Sequence, residues 1–238
     1  MKKLNKIIIF LLISCVVLSQ KHSFCQDKKE SIRLSFRITL GGDTYEPNQL
    51  NSSKEINTTH IETCQFYLSN FVLLKSGLAV WREENSHHLL NAHANESLSI
   101  ALNCPRRMEF DGIQFLLGID SLTNVSGAYG GDLDPTNGMY WAWNSGYINF
   151  KLEGKHNDCP AQNNQFQFHL GGYLPPYSAE QEIILEVKNS KKIDLLVDLS
   201  NFINAVDWSH VHSIMSPSEE AQRLSSIAAS MFSIDVKK

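Results

Sequence analysis

Ile32, Leu34, Phe36 and Ile38 alternate with Ser31, Arg33, Ser35 and Arg37, the two-residue period of a strand with one face buried. Strand-like runs recur at Phe66–Leu74, Leu78–Trp81, Leu98–Leu102, Met108–Leu117, Met139–Trp143, Tyr147–Leu152, Gln165–Leu170, Glu182–Val187 and Ile193–Leu199. Clusters of Gly, Asn, Asp and Pro break them apart. Many short strands with no helical pattern between them predict an all-β fold, an antiparallel β-sandwich. One helix is expected near the end. Ser216-Pro217-Ser218-Glu219 offers an N-cap serine, a proline at the first helical position and a glutamate placed for a capping box. Ala221, Leu224, Ile227, Ala228 and Met231 follow at helical spacing, so this C-terminal helix should cover the sandwich before Phe232–Val236 extends again.

Two polar stretches read as loops, Asn48–Thr59 and the glycine-rich Gly127–Gly138. The second is long enough to need a reason. Either Asp132, Asp134 and Asn137 hold it by hydrogen bonds, or it encloses a site at a strand end. Sequons at Asn51, Asn57, Asn95 and Asn124 are read as surface polarity.

The first 25 residues change the picture of where the chain works. Lys2, Lys3 and Lys6 precede an apolar run, Ile7–Ile13, extended by Val16–Leu18, the layout of a cleaved signal peptide and too short for a membrane span. Ser23-Phe24-Cys25 before Gln26 fits signal peptidase cleavage, whereas Leu12-Ile13-Ser14-Cys15 offers a lipobox that would anchor the protein through Cys15. The chain is therefore read as exported, to the periplasm or the cell surface, with residues 26–238 forming one domain and no transmembrane span after the signal. Four lysines and no acids fall in the leader, which leaves the body with 17 Lys and Arg against 25 Asp and Glu, a formal charge of −8. That balance disfavours a nucleic-acid partner. Cys64, Cys104 and Cys159 remain in the body, and export predicts one disulfide among them, the pair undetermined.

No nucleophile elbow, Gly-rich phosphate loop or zinc-protease motif is present, so the chain is read as a non-enzyme. Metal-ligating side chains are more plentiful. His87-His88 with His93 could meet a soft or borderline metal, and His210-x-His212 would place two imidazoles on one strand face together with Trp208. His60 and His156 read as ordinary surface groups. Met139, Trp141 and Trp143 stand at alternate positions, so a strand there would project a thioether and two indoles from one face, about 7 Å apart. In Gln165–Leu170 the apolar Phe166, Phe168 and Leu170 take one face and His169 the other. If that face meets the tryptophans, imidazole, thioether and indoles converge.

Gly118-Ile119-Asp120-Ser121, Asn124, Gly127, Leu133-Asp134-Pro135, Gly138-Met139-Tyr140-Trp141-Ala142-Trp143, Ser145-Gly146-Tyr147, Phe150-Lys151-Leu152-Glu153-Gly154 and Phe168-His169-Leu170-Gly171-Gly172 together resemble the MbnP-like copper-binding protein family. These exported proteins are of the kind found in methanobactin gene clusters and in Bacteroidetes-type genomes. The similarity runs from about Ile32 to Val236, is densest over 112–172, and includes the strand-like Phe66–Leu74 and the final helix leading to Met231-Phe232. It implies a β-sandwich that binds copper, as Cu(I) or Cu(II). In some members the ligands are histidine and a kynurenine made from tryptophan by a MauG- or MbnH-like dihaem cytochrome c peroxidase. Carried to matching positions, Trp141 or Trp143 is the modified residue, His169 the imidazole ligand and Met139 a soft contact. Asp120, Asn124 and Asp134 would order the loop, and the second histidine is open among His60, His88, His210 and His212. The expected function is copper acquisition or handling. The alternative is a metal-free sandwich that binds a glycan or a protein through its tryptophans.

Overall fold

A computed structural model describes residues 29–47 and 58–236. The expected leader with Cys15 and Cys25, the sequons Asn51 and Asn57 and most of the 48–59 loop lie outside the described residues. The strands in chain order are β1 (Lys29–Leu40), β2 (Asp43–Thr44), β3 (Thr59–Lys75), β4 (Leu78–Arg82), β5 (His87–Asn91), β6 (Ser99–Pro105) and β7 (Gly112–Leu117). After β7 come a short helix α1 (Ser121–Val125) and two 3-10 turns, then β8 (Tyr140–Trp141), β9 (Gly146–His156), β10 (Gln165–Gly171), β11 (Gln181–Glu186) and β12 (Lys192–Asp198). The chain closes with α2 (Leu199–Ile203), β13 (Ser213–Ile214), α3 (Glu219–Ala229) and β14 (Phe232–Ile234).

These strands form two sheets. The smaller runs β14-β12-β1-β2, with β6 also on β1. The larger runs β11-β7-β3-β9-β10-β13, with β4 and β5 on β3 and β8 on β9. The alternation in β1 does what its period predicts: Ile32, Leu34, Phe36 and Ile38 are buried between the sheets. There they meet the inward positions of the larger sheet, Phe66 and Leu68 of β3, Phe150 and Leu152 of β9, and Phe166 and Phe168 of β10. Ring contacts stitch the two layers. Phe232 of β14 meets Phe66 edge-on with centroids 5.7 Å apart, and Phe115 of β7 at the same separation. Such pairs add to area burial and set the sheets' relative position.

Four features depart from the expectation. β1 pairs with β12 in parallel, as β10 does with β13, within an otherwise antiparallel sandwich. Every strand of the larger sheet except β13 intervenes between β1 and β12, so no hairpin dictates the direction of that pair. α3 is capped by Ser218, whose Oγ accepts from the Ala221 N–H at 3.1 Å, rather than by Ser216. Pro217 instead packs against Gly172. The three thiols are free and buried, without the expected disulfide. Cys64 fills the core as a small apolar group, its pKa pushed up to about 12 by burial, and Cys159 donates its S–H to the Gln165 carbonyl at 3.1 Å. Last, Met139–Trp143 is not one strand: pairing stops after Trp141, which faces Gly146, and the chain turns back through Ser145 at φ 48.

Among the described residues no helix is long and apolar enough to cross a membrane.

Candidate functional site

The outer face of the larger sheet carries a second, smaller apolar cluster. Residues 118–145 fold over that face and bury Ile119, Leu133, Met139 and Trp141 against Tyr67 of β3 and Tyr147 and Ile148 of β9. The length of this segment is explained by what holds it. The Tyr67 hydroxyl donates to the Asp132 carbonyl at 2.8 Å and the Tyr147 hydroxyl to the Leu133 carbonyl at 3.0 Å. Asp132 accepts from the Leu89 N–H, Asp134 from the Thr136 N–H, and the Asn137 amide donates to Gly131 and Asp132. Asp120 caps α1 through the Thr123 N–H at 2.9 Å. Ser69 donates to the Gly118 carbonyl at 2.7 Å, and the neighbouring Asn70 takes a left-handed φ of 55. Asn124 is buried, donating to the Ile119 carbonyl and accepting from the Tyr147 N–H, each at 2.8 Å. Its sequon is therefore interior architecture and not surface polarity.

This frame sets the two tryptophans in unlike surroundings. Trp141 is 5% exposed and Trp143 67%, yet their rings lie 5.7 Å apart at 41°. The turn after Trp141 brings them together, with the Asn144 N–H closing on the Trp141 carbonyl at 3.2 Å. The Trp141 indole Nε1–H is buried without a hydrogen-bond partner. An orphaned donor of that kind costs about 1–3 kcal/mol and calls for a reason. Met139 is fully buried beneath, its carbonyl accepting from the Ile148 N–H at 2.9 Å, so its sulfur is accessible only from within the cluster.

His169 shares this face. Phe166, Phe168 and Leu170 point into the main core, while His169 points outward and is nevertheless only 7% exposed. The register between β9 and β10 slips after Leu170, where Phe150 and then Ile148 are paired, so the extra residue is Asn149 on β9 and β10 stays regular. Gly171 is then on the same face as His169, two residues on and about 7 Å along the strand. The Trp141 ring rests on Gly171, where a Cβ would stand 2.9 Å from Cζ3. Lys151, the cross-strand partner of His169, reaches toward the Gly138 carbonyl at 3.4 Å, next to Met139. His169, Trp141 and Met139 therefore belong to one layer.

The electrostatics leave the imidazole neutral. Burial lowers the His169 pKa and outweighs the opposing effect of its hydrogen bond to Glu153. Burial would raise the Glu153 carboxyl, but hydrogen bonds from His169 and Thr63 hold it below its ordinary value. A neutral ring beside a carboxylate donates its N–H, and the His169 Nε2 to Glu153 Oε1 distance is 2.6 Å.

The other histidines are dispersed. His87 faces Thr123 at 3.3 Å, His88 holds Glu83 at 2.8 Å, and His93 meets the Tyr45 hydroxyl at 3.0 Å. His60 is exposed on β3. His210 and His212 do not share a strand face, because β13 spans only Ser213–Ile214; the His212 carbonyl accepts from the Gln167 N–H at 2.9 Å, and His210 is turned to Asp207 at 2.9 Å. Trp208 stacks instead on His156, centroids 4.1 Å apart at 5°. His156 is buried, not a surface group, and its inward parity with Phe150, Leu152 and Gly154 on β9 was the available sign. Among the described residues no three His, Cys, Asp or Glu side chains converge as a metal cage.

Comparison with known proteins agrees with this architecture. The solved structure of MbnP from Methylosinus trichosporium is similar in fold, with a TM-score of 0.57 at 12% identity, covering 80% of this chain and 82% of that one. No curated protein matches the sequence. The MbnP family matches residues 29–216. With most of its length matched in this way, the chain belongs to the MbnP family.

Proposed function

We propose that this chain is an exported copper-binding protein whose Trp141 is converted to kynurenine by a MauG- or MbnH-like dihaem cytochrome c peroxidase, and that it serves copper acquisition or handling. The observation that carries the reading is the Trp141 Nε1, buried without a partner on the face it shares with His169. Opening the indole ring adds two oxygen atoms across its C2–C3 bond, taken from two equivalents of peroxide that leave as two waters. Hydrolysis of the resulting formyl group releases formate, and Nε1 becomes an aryl amine beside a ketone. The nitrogen that would gain a ligand's lone pair is the one the fold leaves unpaired.

The donor set fits such a change. The unmodified chain offers at this place one neutral imidazole and an indole, and an indole is an indifferent ligand. An imidazole beside an aryl amine is a set that suits copper in either oxidation state. His169 and the modified Trp141 would hold the ion. Trp143 would cover it from the solvent side, and Met139 would supply a thioether from below.

Mass spectrometry on protein from its native host tests the modification, as the replacement of one carbon by one oxygen in the peptide that contains Trp141. Copper titration of that protein and of its His169→Ala variant tests the ligand. Unmodified tryptophan with copper uptake indifferent to His169 would point instead to the metal-free binding module, a reading favoured by the solvent exposure of Trp143.

A further inference from the structure

We infer that Glu153 is the positioning residue of the copper site, holding the His169 ring so that Nδ1 is the atom presented to the metal. This inference rests on the assignment of His169 as a ligand.

The carboxylate is fixed from both sides. Glu153 is on β9 between β3 and β10, opposite Thr63 on one side and Gln167 on the other. Thr63 bonds it from β3 and His169 reaches it diagonally from β10, Nε2 to Oε1 at 2.6 Å. Lys151 on the same strand keeps its ammonium 3.8 Å from that oxygen. A carboxylate has no proton to give, so Nε2 must carry the hydrogen and the lone pair stays on Nδ1. The bond does three things at once. It selects one tautomer, stops the ring from turning about its Cβ–Cγ bond, and makes the imidazole a stronger donor. Ligating histidines in metalloproteins commonly donate their second N–H to a carboxylate in this way, and loss of the partner typically costs about 10–100-fold in metal affinity. Glu153 is not itself offered as a ligand, because its Oε1 is already taken up by His169 and Lys151 and its carboxylate also accepts the bond from Thr63.

The tautomer can be read without copper. In nitrogen-15 labelled, unmodified protein the His169 ring should show a protonated Nε2 and an unprotonated Nδ1, and Glu153→Val should give a mixture of the two neutral forms. In protein modified by its native host, Glu153→Val should weaken copper binding about 10–100-fold while leaving the mass change at Trp141 in place. Glu153→Gln keeps the volume and removes the charge; it supplies the same comparison if the valine variant does not fold, with a loss of several-fold expected. A wild-type ring protonated at Nδ1, or copper affinity unchanged within twofold in a folded Glu153 variant whose His169→Ala counterpart loses copper, overturns the role of Glu153 alone. If His169→Ala retains full copper affinity, the ligand assignment falls and the positioning role falls with it.

Discussion

The six-membered ring of Trp141 rests directly on Gly171: a Cβ added there would lie 2.9 Å from Cζ3, 3.0 Å from Cη2 and 2.6 Å from the Tyr147 carbonyl oxygen. The backbone oxygen cannot withdraw, so Gly171→Ala must lift the indole or part β9 from β10. Overpacking of this kind typically costs about 1–3 kcal/mol. Thermal unfolding should fall accordingly, with a shift in tryptophan emission that reports movement of the ring. An unchanged midpoint and spectrum would show that the contact is softer than described.

The contrast between the two tryptophans gives a second expectation. Trp141 is buried and rests on Gly171, which shares a strand face with His169, while Trp143 is mostly exposed, so the proposed function assigns the modification to the first. In native-host protein the mass change should persist in Trp143→Phe, be absent in Trp141→Phe, and map by fragmentation to Trp141. Mapping it to Trp143 would move the modified group out to solvent and remove the reason for the unpaired Nε1.

How much of this was legible beforehand follows from which interactions are local. The period-2 patterns of β1 and β10 announced their buried faces because burial acts on every second residue wherever the strand is paired. The same period puts His169 on the face opposite Phe168. The Met139–Trp143 alternation misled, since the chain turns at Ser145 and the tryptophans meet through a turn and not through strand parity. The His169–Glu153 pair and the support of Trp141 by Gly171 depend on register between strands, including the extra residue at Asn149. Register is set by the packed sheet, and no short window of sequence contains it. The parallel partners of β1 and β10 were invisible on the same ground.

Buried histidines give the fold a sign for its pH dependence. Burial lowers the pKa of His156, stacked on Trp208, and of His169, His87 and His93. The folded state therefore binds fewer protons than the unfolded chain, whose histidines titrate near 6.5, and stability rises with pH across the interval between the two values. The contribution is complete above about pH 6.5 and is lost as the pH falls from there through the lowered values of the folded state. Urea midpoints should be level from neutral to mildly alkaline pH and decline below that point. His156→Phe, which keeps a ring on Trp208, should make the decline shallower; the same slope in the variant would assign the effect elsewhere.

An ion pair helps to hold the C-terminal edge of the smaller sheet. Arg37 of β1 grips Asp235, just past β14, with Nε and Nη2 each 2.8 Å from a carboxylate oxygen, and the Asp235 side chain is almost wholly buried. β14 is three residues long and covers the core with Phe232, so its own pairing to β12 is a slight hold. A forked, charge-assisted bond of this geometry contributes more than an exposed pair, about 1–3 kcal/mol after allowing for the partly exposed guanidinium. Asp235→Asn should lower stability by that order and speed hydrogen exchange at Asp198, whose N–H donates to the Met231 carbonyl beside β14 at 3.0 Å. Because one partner faces solvent, molar salt should weaken the wild type toward the variant. Equal exchange in the two proteins would show that Phe232 alone seats the strand.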